Sequence, residues 1–188
     1  MWGIVEDNAI TKIINNPKGL VIGDTRHSRK IFELWSVSEL EAIGIYEVVI
    51  DNTNKKDQEY YTNTNQSFAY AYGAVTASFG SATAKALADV TVGDIVTPGL
   101  KTQKKEIIKN QAAGILQDTD WYITRKADAG TAVPSAVTTH RAAVRTKSGE
   151  METLINNAAN VDALAALYVY NDDTPPVRPL GEWPVLEV

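Results

Sequence analysis

At 188 residues the chain suffices for one ordinary domain or two small ones. Its 44% hydrophobic and 22% charged residues match an average soluble protein and argue against wholesale disorder; its net charge of −5 argues against a sequence-independent nucleic-acid binder, which needs a basic face to displace counterions. With no Cys there is no disulfide framework and no thiolate metal site, and no apolar run reaches the roughly 18 residues that a membrane span requires.

The opening Met1-Trp2-Gly3-Ile4-Val5-Glu6-Asp7 has neither a basic n-region nor an apolar h-region, so a protein made and folded in the cytoplasm is expected. Trp2–Val5 and Ile10–Ile14 are β-prone runs separated by Asp7-Asn8, which predicts a hairpin. Leu20–Ile22 reads as a short buried strand closed by Gly23-Asp24, and Ile31–Trp35 as a further extended run. Ser36 with Glu39 has capping-box spacing; Leu40 and Ile43 share one face of the short helix that it opens, and Gly44 stands where a left-handed C′ residue belongs. Tyr46–Ile50 is a strand, Asp51–Gln66 an exposed loop, and Ser67–Tyr72 with Val75–Phe79 a second hairpin turning at Gly73-Ala74.

The pattern changes near residue 100. Small, polar and Gly-punctuated sequence from 81 to 100 predicts a linker. From Lys101, the residues Ile107, Ile108, Ala112, Ile115 and Leu116 form an apolar stripe, with Lys101, Lys104, Lys105 and Lys109 outside it. Pro134 starts a second helix near Ser135. Its inward positions Val137, His140, Val144, Met151, Leu154, Ile155 and Ala158 carry it to about 158, with a bend at Gly149. Asn160 caps a short third helix with apolar Val161, Leu164 and Leu167. Thr174-Pro175-Pro176-Val177-Arg178-Pro179 cannot be helical, so the tail is an extended arm anchored by Trp183, Val185 and Leu186.

The fold class is therefore α+β. A β-rich module with one short helix (1–80) precedes the linker (81–100), a helical hairpin domain with a short third helix (101–170) and an extended arm (171–188).

Catalytic groupings are weak. Asp24, His27 and Ser28 crowd one loop, whereas a hydrolase triad converges from separate elements, so a polar turn is the reading. His27 and His140 lack the company that zinc needs, and no glycine follows Asp118 and Asp120 at a calcium-loop position. Those aspartates, with Glu106, are expected to cap or to pair with Arg125, Arg141 or Arg145. The glycines form no phosphate-binding loop, and the Asn65-Gln66-Ser67 sequon carries no weight without a signal peptide. No catalytic, cofactor or metal residue is assigned. Arg141 and Arg145, four apart on one helix face, are expected to form a solvated or salt-bridged face, or else to dock a partner. Of the tryptophans, Trp35 and Trp121 are expected in the core, and Trp183 on its arm is a candidate for inter-subunit docking.

Leu116-Gln117-Asp118-Thr119-Asp120-Trp121, the following Arg125, Val133-Pro134, and Arg141 with Arg145 resemble the terminal domain of bacteriophage tail-fibre assembly proteins and related tail proteins. There a helix ends in a Thr-Asp-Trp step and a Val-Pro loop leads into an Arg-bearing helix. Leu34-Trp35-Ser36 and Glu39-Leu40-Glu41-Ala42-Ile43-Gly44-Ile45-Tyr46 resemble a small module of the same neighbourhood, and the whole chain looks like structural proteins of marine tailed phages. The tail-fibre assembly proteins commonly end soon after the helical domain, whereas this chain continues into a third helix and a Pro-Trp arm. The resemblance implies a non-enzymatic structural component of a tailed-phage virion, made in the host cytoplasm and placed in the tail, baseplate or fibre region. Its partners would be other tail or virion proteins and further copies of itself, with neither nucleic acid nor membrane. The alternative is a tail-fibre assembly chaperone absent from the finished particle. On either reading Trp183, Val185, Leu186, Arg141 and Arg145 are the expected protein–protein interface.

Overall fold

The computed structural model describes residues 1–187 and divides into two compact units, the second beginning at Ala84. It has the α+β composition that the sequence predicts, strands first and helices after.

The first unit is built on a five-stranded sheet. The hairpin of β1 (Trp2–Glu6) and β2 (Ala9–Ile14) forms as read, with Trp2 opposite Ile14. Asp7 and Asn8 both take positive φ (50° and 60°), the geometry of the type I′ turn that matches the twist of the strands. The register slips between Ile4 and Val5, a bulge that leaves Thr11 as the extra residue. A separate small hairpin joins β3 (Leu20–Ile22) to β4 (Thr25–His27). Two short helices follow, α1 (Ile31–Leu34) and α2 (Val37–Glu41), then β5 (Ile45–Asp51), β6 (Tyr61–Thr62), and the hairpin of β7 (Gln66–Ala71) and β8 (Ala74–Phe79). The strand order is β2-β1-β5-β8-β7, with β5 antiparallel to β1 and parallel to β8.

Alternation along the strands gives the sheet two apolar faces. Ile4, Ile14, Leu20, Ile31, Leu40 and Ile45 form one cluster under the helices, with Trp2, Phe32 and Trp35 at its margin. Val48, Val75 and Ala77 form the other, with Phe68, Tyr46 and Tyr70 packed on it. Two expectations are corrected. Ile31–Leu34 is a helical turn and not a strand, because its apolar residues bury one side only: Ile31 is buried and Leu34 is 75% exposed. The stretch 51–66 is not uniformly exposed, since Tyr60 and Tyr61 are buried within it.

In the second unit, the span read as a linker holds regular structure. After the short strand β9 (Thr83–Ala84), which straddles the boundary of the two units, comes a hairpin of β10 (Val90–Val92) and β11 (Ile95–Thr97). The helices are α3 (Leu100–Gln117), α4 (Asp120–Ala129), α5 (Ser135–Asn157) and α6 (Val161–Ala166). The helical hairpin thus contains an additional helix, α4, between its two long members. The buried row on α3 is Leu100, Lys104, Ile108 and Ala112, a strict four-residue repeat, so Lys104 is inside the row and Ile107 is 44% exposed. The Lys104 ammonium lies 4.4 Å from the centre of the Tyr168 ring, which compensates in part for its burial. Helix α5 buries Val137, His140, Val144, Met151 and Ile155, runs unbroken through Gly149, and leaves Leu154 37% exposed. Asn160 caps α6 as read, its side-chain oxygen accepting from the Ala163 N–H at 2.8 Å. The Pro-rich tail is non-helical and returns to the helices at Leu180, which is fully buried.

Candidate functional site

The step from α3 to α4 gathers several polar contacts of the second unit. A helix ends with carbonyls that lack partners, and the next helix begins with N–H groups in the same state. Arg141, projecting from α5, addresses this junction directly. Its Nη1 donates to the Leu116 carbonyl at 2.7 Å and to the Thr119 hydroxyl at 2.6 Å, and its Nη2 pairs with the Asp120 carboxylate at 2.8 Å. Thr119 itself is buried, and its hydroxyl donates to the Leu116 carbonyl at 3.0 Å. One planar guanidinium therefore holds the last turn of α3, the junction residue and the first residue of α4, which the fork geometry of Arg permits and a Lys ammonium would not. The expected pairing of the aspartates is seen here for Asp120 and Arg141. Arg145, one turn later, is exposed and donates to the Arg141 carbonyl at 3.3 Å.

What this staple presents is α4. No residue of α4 is buried. Trp121, expected in the core, is 52% exposed and Ile123 is 43% exposed. The indole stacks on Tyr122, ring centres 3.8 Å apart, and the Arg125 guanidinium lies 4.7 Å from the Trp121 ring and 5.5 Å from that of Tyr122. Trp121 misses the core because the wedge position is taken by Thr119 and the Arg141 head group, which turns the first residues of α4 outward. Among the described residues the Arg125 Nε has no hydrogen-bond partner although its atom is buried by the rings. Tyr122, Ile123 and Arg125 were not picked out as interface residues from the sequence. The signal was the i, i+4 spacing of Trp121 and Arg125 with Tyr122 between them, legible only once Asp120–Ala129 is recognised as a helix of its own.

The arm residues lie elsewhere in the same unit. Trp183 is half-buried against α3 of its own chain, its indole N–H donating to Gln111 at 3.2 Å, beside a cavity of about 450 Å³ lined by Gly114, Ile115 and Arg178. Arg178 is fixed by Glu182 at 2.9 Å. Val185 is 82% exposed and Leu186 half-buried. Pro184, Val185 and Glu187 border a cavity of about 390 Å³ whose other wall is Ser135, Ala136, Thr139 and His140 of α5. His140 is buried, as its inward position predicts, and its Nδ1 has no partner among the described residues. The five residues expected at an interface therefore divide. Arg141 is an internal staple, Arg145 is on the surface, Trp183 and Leu186 are seated partly on their own chain, and Val185 is fully presented.

In the first unit, Asp24 lies in the β3–β4 turn while His27 is in β4, edge-on to Trp35 at 5.6 Å. Among the described residues no group of three or more His, Asp or Glu could hold a metal ion, and no helix is long and apolar enough to cross a membrane. Compared with protein-family models, with curated proteins and with solved structures, the chain matches none.

Proposed function

We propose that this protein is a structural, non-enzymatic component of a tailed-bacteriophage particle, in the tail, baseplate or fibre region, and that it acts by burying surface against neighbouring subunits. The observation that carries the reading is α4. Trp121 is 52% exposed and Ile123 43% exposed, and the indole is held in place by the half-buried Tyr122 and Arg125. Trp, Tyr and Arg are the residues in which binding energy concentrates at protein interfaces, and their order here is set before any partner arrives, which lowers the entropy lost on docking. The same segment carries the residues Asp118-Thr119-Asp120-Trp121 and Arg125 that resemble tail proteins. The arm adds a second contact point, with Val185 82% exposed. On this reading the protein is made in the host cytoplasm, and its partners are other tail or virion proteins and further copies of itself.

The test is mass spectrometry of density-purified particles carrying this gene. A stoichiometric copy number is the expected result. Absence from particles, with presence in the infected-cell lysate, would overturn the structural role and leave the assembly chaperone in its place.

A further inference from the structure

Each arginine of the second unit but one finds an acceptor inside the chain among the described residues. Arg141 meets the Asp120 carboxylate at 2.8 Å and Arg178 meets that of Glu182 at 2.9 Å. Arg145 is exposed and donates to the Arg141 carbonyl. Arg125 is the exception. It is half-buried, yet among the described residues its guanidinium makes no hydrogen bond and no ion pair, and its Nε is buried without an acceptor. The cause lies in the order of residues along α4. Three and four places away from Arg125 stand Trp121, Tyr122, Asp128 and Ala129. The two aromatic residues take the guanidinium, 4.7 and 5.5 Å from their ring centres, and Asp128 does not pair with it among the described residues. A ring attracts the charge through its π face but supplies no lone pair to the N–H groups, which lie in the guanidinium plane. The stack therefore fixes the fork and leaves its edge to be filled.

What can fill that edge follows from cost. Trp121 and Ile123 are 52% and 43% exposed, so a subunit that covers them takes Arg125 further from water as well. A buried charge is costly unless an opposite charge pairs with it. A backbone carbonyl or a side-chain amide would accept a hydrogen bond and leave the charge uncompensated. A carboxylate supplies both, and its two oxygens match the fork. A nucleic-acid phosphate also carries negative charge, but a phosphate chain would meet Asp118, Asp120 and Asp128 in the same stretch, where they outnumber Arg125 and Lys126.

We propose that α4 docks on a protein surface that presents one Asp or Glu carboxylate among apolar side chains. The carboxylate accepts from the Arg125 fork, and the apolar rim covers Trp121 and Ile123. The contact rests on the particle role proposed above and names the chemistry of the neighbour at that site. Trp121 and Tyr122 hold the guanidinium in place beforehand, so little side-chain freedom is lost on docking.

Phage carrying Arg125→Met or Arg125→Glu as the sole source of the protein test this, with copy number read by mass spectrometry of density-purified particles. Arg125→Met keeps an unbranched apolar stem against the rings and removes the charge, so a purely apolar contact would tolerate it. Both variants are expected to fold as wild type by circular dichroism, because Arg125 has no acceptor in its own chain to lose. Their copy number is expected to fall about tenfold or more, further for Arg125→Glu than for Arg125→Met. Revertants of Arg125→Glu are expected to carry Asp or Glu changed to Lys or Arg in another particle protein. Full incorporation of either variant, release of the wild-type chain from particles by nuclease, or revertants that alter no acidic residue of another particle protein would each overturn the carboxylate contact. The particle role is judged separately. A wild-type chain absent from particles sinks that role, whereas a wild-type chain present in particles that take up Arg125→Met equally well sinks the carboxylate contact alone.

Discussion

Arg141 shows how one residue can settle the course of a chain. Its side chain is 9% exposed, while that of its ionic partner Asp120 is 58% exposed. The two ends of this ion pair therefore contribute unequally. Replacing the arginine withdraws donors from the Leu116 carbonyl and from buried Thr119 together, whereas replacing the aspartate removes a carboxylate that water can substitute. Arg141→Ala is expected to cost about 3 kcal/mol of stability in the second unit, in the range for breaking a buried charged network, and Asp120→Asn under about 1 kcal/mol. Urea denaturation of both variants checks this. Equal losses would show that the ion pair, and not the carbonyl and hydroxyl contacts, holds the junction. Arg141→Lys should resemble the alanine variant more than the wild type, since an ammonium cannot span the three acceptors.

At the scale of elements, α2 is the segment whose local signals are most complete. Ser36 accepts from the Glu39 N–H at 3.3 Å, and the Glu39 carboxylate accepts from the Ser36 N–H at 2.7 Å, so both halves of the capping box are made. Ser36→Ala should therefore destabilise the first unit by about 1 kcal/mol. The backbone bond from Ser36, followed by that from its hydroxyl, holds Glu39 below the ordinary carboxylate value. A depressed folded pKa means that the contribution is present above the unfolded value and is lost as pH falls through the folded one. An acid titration of stability should thus be shallower in Glu39→Gln than in wild type, and identical slopes would deny Glu39 this role. After α2 the chain turns at Gly44, with φ 79° and the Val5 carbonyl where a Cβ would stand, so Gly44→Ala should cost more than about 1 kcal/mol.

The elements that were legible in the sequence are those with such local grammar: the Asp7-Asn8 and Gly73 hairpins, the capping box, Pro134 before α5 and Asn160 before α6. Those that were not depend on distant partners. Ile31–Leu34 has the β-prone composition of a strand but lies over the sheet as a helical turn. The parallel pairing of β5 with β8 joins segments separated by a long connection, which no local pattern encodes. Lys104 looked like a solvated lysine, and its burial beside Tyr168 depends on a ring more than sixty positions away in sequence. For the candidate interface, the sequence offered the arm and the arginines of α5, and it read the Thr-Asp-Trp step only as a helix junction. It misread Trp121 as core, because Trp is apolar enough for either place and only the Arg141 staple decides which.

For the molecule as a whole, surface area bears on whether it works alone. The chain exposes 12,328 Å². Part of that surface is apolar. Val92, Ile95, Trp121, Ile123 and Val185 contribute to it. On the proposed particle role, such surface is offered to neighbours at little cost to folding, and this separates folding from assembly experimentally. Trp121→Ala removes a side chain that is 52% exposed and whose ring contacts are with Tyr122 and Arg125 of its own helix. Its thermal midpoint should therefore fall by no more than a few degrees, as for a loss below about 1 kcal/mol. If α4 docks in the particle, the same change should weaken assembly by 2 kcal/mol or more, about thirtyfold. Particles grown with the variant as sole source would then contain it at a small fraction of the wild-type copy number, while soluble variant accumulates in the lysate. Full incorporation of a folded Trp121→Ala protein would remove α4 from the contact surface and leave the arm to hold the subunit in place.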